Sequence, residues 1–320
     1  MFRKINTIRL RQRAAFRVTK GKNMKKLIIE ARLNEWAGRE ENPNVPFTAD
    51  EIARDTQACH AAGASVVHYH ARTPEGGPDF TPENFAQSIR QIRRDSKILI
   101  HLTLGNNIDG EPPEKRMRHI EELCKDPSLK PDFATVEVGT LVADLYDAKK
   151  REYLTKDTVF INRTSAVEYY LKKMRALGVK PYLGSWSVGT TRQMVTFHDM
   201  GWLEEPVYMT YALTNAPIVT GHPANWHGLQ AHFGFVPDDL KLEWTTSAVN
   251  GNLLAYAEQV IRLGGHISIG LGDYPYPELG QPTNSDLIAE VVRMAKAAGR
   301  EVATAADAAT MLLPPGLAPH

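Results

Sequence analysis

His68 and His70 stand two residues apart in the run Val66-Val67-His68-Tyr69-His70-Ala71-Arg72. On a β-strand successive side chains alternate faces, so both imidazoles project the same way from neighbouring pleats. Two imidazoles held on one stiff element suit a borderline metal such as zinc. The spacing alone is weak evidence, because two surface or core histidines fall two apart by chance. The setting strengthens it. A helical stretch ending at Ala61-Ala62-Gly63-Ala64 precedes the run, and the Pro- and Gly-bearing loop Thr73-Pro74-Glu75-Gly76-Gly77-Pro78 follows it. The pair therefore belongs at the carboxyl end of a strand, where α/β enzymes place their chemistry.

From Leu27 onward the pattern that would position such a pair is strand then helix, repeated. Short apolar runs at Leu27–Leu33, Ser65–His70, Lys97–Thr103, Asp132–Val138, Lys180–Trp186, Pro206–Leu213, Lys241–Ser247 and His266–Leu271 read as strands covered on both faces. Between them lie helix ends. Thr48-x-x-Glu51 and Ser165-x-x-Glu168 have capping-box spacing, and Thr81-Pro82 puts Pro at a first helical position. Gly63, Gly178, Gly264 and Gly299 each follow a helical pattern, as left-handed C-caps do. Eight such units point to an α/β fold of the (β/α)8 TIM-barrel type. A doubly wound sheet would want a Gly-rich turn after its first strand, and Leu33-Asn34-Glu35-Trp36-Ala37 has none. The Gly- and Pro-rich stretch 215–237 reads as a long loop over the barrel mouth, a lid or a subunit contact.

Composition narrows the class. A net charge of +1 gives no field for nucleic acid, and Cys59 and Cys124 make no disulfide framework. No apolar run approaches the roughly 20 residues that span a bilayer. A cytoplasmic protein is expected, with no membrane or nucleic-acid partner. Residues 1–26 carry many Lys and Arg and no acidic residue, so 1–23 reads as a basic extension, with translation starting at Met24 and a single barrel domain over 24–320. Gly184-Ser185-Trp186-Ser187-Val188-Gly189 lacks the spacing of a serine-hydrolase nucleophile elbow.

Several stretches together resemble the β-keto acid cleavage enzymes, the family that includes 3-keto-5-aminohexanoate cleavage enzyme. They are Asn42–Pro46, Ala62–Arg72, Gly76–Pro78, Leu102–Gly105, Glu137–Thr140, Gly264–Asp273 and Ala298–Thr304. The resemblance implies a zinc-dependent (β/α)8 barrel, a homo-oligomer suspected to be a tetramer. It would condense a β-keto acid with acetyl-CoA, releasing acetoacetate and a new acyl-CoA. It maps the metal-binding pair to His68 and His70 and a catalytic Asp to Asp273. Glu35 and Thr103 are the nearest matches to an acidic and a hydroxyl residue lining the family site. Two departures stand on the last strand. Where the family has an Arg and, four positions on, a metal-binding Glu, this chain has Ser268 and Gly272.

Two histidines hold zinc weakly, because catalytic sites generally use three protein ligands. Glu137 ranks first as the substitute, ahead of His101, Glu30 and Glu35, so that Glu137→Gln should empty the site; His101 reads better as a core histidine. Asp273 or Glu35 would serve as general base. Arg72 would bind coenzyme A phosphates or the substrate carboxylate, or else pair with Glu75 or Asp79. Two alternatives remain open: a CoA-independent metal-dependent lyase or hydrolase, and a non-catalytic acid-binding barrel.

Overall fold

The apolar runs become eight parallel strands: β1 Ile29–Arg32, β2 Val66–Tyr69, β3 Leu99–Leu102, β4 Phe133–Glu137, β5 Lys180–Ser185, β6 Val207–Thr214, β7 Leu242–Val249 and β8 His266–Ile269. In the computed structural model, which describes residues 24–105 and 110–314, they close a barrel in sequence order, with β8 beside β1. The register across the seam pairs Glu30 with Ser268, and Arg32 pairs with His68 on β2. Helices α1 Ala49–Ala62, α2 Pro82–Asp95, α3 Pro113–Leu123, α4 Thr164–Leu177, α5 Val188–Asp199, α6 Trp226–Phe233, α7 Ala257–Arg262 and α8 Asn284–Ala297 follow the strands in turn, and α9 Ala305–Leu312 ends the fold. No helix among the described residues is long and apolar enough to cross a membrane. The basic segment 1–23 lies outside the described residues.

Two cores hold the barrel. The larger lies between the outward strand residues and the helices, around Ile29, Ile100, Val136 and Ile288. The smaller fills the amino-terminal end, where Ile28, Val66, Leu99, Phe133 and Tyr208 meet Ala308, Ala309 and Leu312 of α9. Helix α9 thus plugs the bottom. Above that plug the interior turns polar: Ser268 donates to Glu30 Oε2 at 2.8 Å, Glu30 pairs with His101 Nδ1, and His101 Nε2 meets Thr135 Oγ1 at 2.8 Å.

Local sequence explains most helix ends. Thr48 and Glu51 form both halves of their capping box, and Gly63, Gly178, Gly264 and Gly299 all have positive φ. Ser165 is not a cap. Helix α4 starts two residues earlier, at Thr164 behind Arg163, whose side chain makes no cap bond. The supposed loop 215–237 contains α6, capped by Asn225 Oδ1 accepting from Gly228 N at 2.9 Å. The segment between β4 and α4 forms two antiparallel pairs, Leu141–Val142 with Val159–Phe160 and Tyr146–Asp147 with Glu152–Tyr153. Leu145 bridges to Ile218, so these pairs join the 215–225 segment at the cavity wall.

Candidate active site

At the carboxyl ends of the strands a cavity of about 540 Å³ opens, lined by Arg32, Glu35, His68, His70, Thr103 and Asp273 among others. Here the Glu35 carboxylate straddles the histidine pair. Its Oε1 lies 2.9 Å from His68 Nε2 and its Oε2 lies 2.9 Å from His70 Nε2. Glu35, His68 and His70 form one buried three-donor group, and Glu30, His68 and His101 form a second, deeper one.

Three local devices place that carboxylate. Glu35 has a φ of 33°, an unusual conformation for a residue with a side chain. Arg72 holds it there: its guanidinium donates to the carbonyls of Asn34 (2.6 Å), Ala37 (2.6 Å) and Glu35. Asn34 ties this loop to β2, its side chain bonding both the carbonyl (2.9 Å) and the N–H (2.8 Å) of His70. The third device is an empty space just after β8. A Cβ on Gly270 would lie 1.8 Å from the Arg32 carbonyl, and one on Gly272 would lie 2.6 Å from Glu35 Cγ. The two glycines let the end of β1 press against β8, so the Gly-x-Gly serves packing and not phosphate binding. Asn284 clamps the same seam, accepting from Leu271 N at 2.7 Å and donating to the Leu33 carbonyl at 3.1 Å.

Electrostatics favour an anionic Glu35. Burial opposes its ionisation, but Arg32, 3.0 Å away, together with the histidines holds its pKa well below the usual range. Burial lowers the pKa of His70. His68 Nδ1 lies 3.1 Å from the His101 carbonyl, which can only accept, so the proton sits on Nδ1. That turns His68 Nε2 toward Glu35 Oε1, a buried oxygen that also lies 3.0 Å from an Arg32 guanidinium nitrogen. A carboxylate whose two oxygens each lie 2.9 Å from an imidazole nitrogen can share a cation with them. The donor set (two imidazole nitrogens and a carboxylate, one imidazole fixed by a carbonyl behind it) fits a catalytic zinc-type ion.

Arg32 Nε also pairs with Asp273 Oδ2 at 2.8 Å. Burial raises the Asp273 pKa to about 6, with Arg32 opposing and Glu35 adding to the rise. Thr103 Oγ1 accepts from Gly105 N at 3.0 Å on the cavity wall.

The structure does not bring Glu137 to the histidines. Its Oε2 accepts from the Trp186 indole, its side chain fills the space that a Cβ on Gly184 would occupy, and it belongs to neither donor group. Arg72 faces backbone carbonyls rather than ligand space, and no ion pair joins it to Glu75 or Asp79 among the described residues. His101 sits in the polar layer below, its pKa lowered to about 4 by burial and by His68. Arg32 escaped the sequence reading. Its signal was Glu30-x-Arg32, two charges at strand alternation in an otherwise apolar run, both therefore facing inward.

The model of the beta-keto acid cleavage enzyme family matches residues 26–313. The chain belongs to the β-keto acid cleavage enzyme family. Among its relatives, the 3-keto-5-aminohexanoate cleavage enzyme of Acetoanaerobium sticklandii is 29% identical over 90% of this chain and 98% of its own length. The 3-oxoadipate:acetyl-CoA acetyltransferase of Cupriavidus necator is 26% identical over 86% of this chain and 89% of its own. In fold the chain is similar to ObcA, solved with a C4-CoA adduct and oxalate (TM-score 0.65, 14% identity, 84% of this chain and 67% of that one). In this β-keto acid cleavage enzyme, Ser268 and Gly272, where the resemblance expects an Arg and a Glu, lie across the seam from β1 and the loop after it. Arg32 brings a guanidinium to Asp273, and Glu35 brings a carboxylate to the histidines.

Proposed function

We propose that this enzyme condenses a β-keto acid with acetyl-CoA, giving acetoacetate and a new acyl-CoA, at a divalent metal ion held by His68, His70 and Glu35. The observation that carries the metal reading is the Glu35 carboxylate lying between two imidazole nitrogens, in space left free by Gly272. When bound, such an ion supplies Lewis-acid stabilisation of the negative charge that develops as the substrate loses its proton.

The chain's own residues do the rest. Asp273, on the cavity wall with a pKa of about 6, is the group that takes the C2 proton at neutral pH and can return it. Arg32 bridges Asp273 and Glu35 and keeps Glu35 ionised. Carbon C2 then forms a bond to the acetyl carbonyl as the coenzyme A thiolate leaves. The thiolate adds to the original ketone, the C2–C3 bond breaks, and its electron pair leaves on C2 as the acetoacetate enolate, which regains a proton. Leu104, Leu141, Leu145, Phe160 and Ile218 line the cavity and keep water from the intermediates. The names of relatives that use acetyl-CoA support this reading. Acetyl-CoA labelled in its acetyl group tests it with a panel of β-keto acids. Labelled acetoacetate together with unlabelled acyl-CoA is expected, and both should vanish in Asp273→Asn. Turnover of the keto acid with coenzyme A omitted would contradict it and favour the CoA-independent alternative.

A further inference from the structure

The cavity wall carries a second cation that the reaction does not use. Arg116, in the first turn of α3, is 5% exposed and lines the cavity. Its guanidinium donates to Asn162 Oδ1 (3.1 Å), the Tyr170 hydroxyl (3.3 Å) and the Gly105 carbonyl (3.2 Å). All three acceptors are neutral. Its Nε–H has no acceptor among the described residues. A guanidinium stays protonated at any working pH; among the described residues its hydrogen bonds go to neutral acceptors, with Glu137 near enough to feel its charge, so an incoming anion can still pair with it.

We propose that Arg116 receives a second acid group at the far end of the β-keto acid, making the preferred substrate a dicarboxylate. The proposal rests on the reading above for the keto-acid end alone. Position supports it: Arg116 grips the Gly105 carbonyl, and Gly105 N–H bonds Thr103 Oγ1 at the end of β3, so Arg116 adjoins the wall that faces the histidines. Leu104, Leu141 and Phe160 line the same cavity and suit a methylene spacer. A planar carboxylate fits a narrow, nearly closed guanidinium site better than the bulky hydrated phosphates of coenzyme A. Glu137, also on this wall, is the opposing feature, since an ionised Glu137 would draw a cationic substrate end. Burial raises its pKa, and the Trp186 N–H already occupies one oxygen.

The test is isothermal titration calorimetry of the metal-loaded protein with unreactive straight-chain dicarboxylates of four to seven carbons and the monocarboxylates of equal length. It uses wild type, Arg116→Gln, and Asn162→Asp, which sets a carboxylate against the guanidinium without removing it. At one chain length wild type should prefer the dicarboxylate by about tenfold or more, as a charge-assisted pair allows. Both variants should lose that preference while still binding the monocarboxylate. Equal binding of the two acids by wild type would overturn the proposal, as would a preference surviving both substitutions. So would tighter binding of the matching ω-amino acid, which would give the role to Glu137. A rise in acetyl-CoA KM in Arg116→Gln, with the ranking of keto acids unchanged, would move Arg116 to the coenzyme and refute the dicarboxylate. Because the titration needs no turnover, a dicarboxylate preference in a protein without acetyl transfer would sink the reaction and leave the role of Arg116 standing.

Discussion

Replacing Gly272 with Ala adds one methyl group at the seam between β1 and β8, and the structure fixes what that methyl meets. Its carbon would lie 2.6 Å from Glu35 Cγ, 2.8 Å from Glu35 N and 2.9 Å from the Asn34 carbonyl carbon. Carbon atoms pack at about 3.5–4.0 Å, so the Glu35 side chain must withdraw by roughly 1 Å and the loop backbone must follow. Metal-ligand distances tolerate about 0.2 Å. Disturbing a ligand's support typically costs 10–100-fold in metal affinity, or about 1.4–2.7 kcal/mol. Overpacking of this kind costs the fold itself about 1–3 kcal/mol. The assay is zinc competition against a chromogenic chelator, with thermal melts of apo and metal-loaded protein. Gly234→Ala is the control, because nothing lies within 4 Å of its added carbon and its φ is −66°. A folded Gly272→Ala protein with zinc affinity within about twofold of wild type would refute the claim that Glu35 occupies this space as a ligand.

Two further outcomes follow from the surroundings of the site. Arg72→Lys should lower both stability and metal affinity, since one ammonium cannot span the Asn34, Glu35 and Ala37 carbonyls; a selective rise in acetyl-CoA KM with intact metal binding would instead restore the phosphate-binding role. Asp55, half-buried on α1 and accepting from Asn284 Nδ2 at 2.7 Å, has its pKa raised to about 6 by desolvation. Its folded pKa thus exceeds its ordinary 3.8, so its stabilising contribution is full below about pH 4 and is lost as pH rises through about 6. Asp55→Asn keeps an acceptor for Asn284 and should be more stable than wild type at pH 8 by about 1–3 kcal/mol, with the gain shrinking toward pH 5; denaturant melts showing the opposite pH trend would contradict this.

Sequence pattern exposed the barrel because each strand buries its outer face under a helix and so reads as an apolar run. The histidine pair was legible because both members lie on one strand, where alternation alone sets their direction. What escaped depends on neighbours distant in sequence. Glu35 reaches the histidines only because Arg72, Asn34 and Gly272 hold a left-handed turn in place, and Glu35, Arg72 and Asn34 all come from the β1 and β2 side of the seam, away from the last strand on which the family places the ligand. Glu137 ranked ahead of it on charge and strand position, but the Trp186 indole and the vacant side of Gly184 draw its carboxylate elsewhere. The hairpin pairs at 141–160 have strands of two residues, too short for any periodicity to show. Helix α6 was hidden among glycines, prolines and aromatics, although Asn225 before Trp226 was an available start signal.

The measurement that bears most directly on this site is metal content by elemental analysis of wild type, Glu35→Gln and Glu137→Gln, purified without chelators or a histidine tag. The account predicts about one divalent ion per chain in wild type and in Glu137→Gln, and little in Glu35→Gln. Full occupancy in Glu35→Gln with loss in Glu137→Gln, or no metal in wild type, would contradict it.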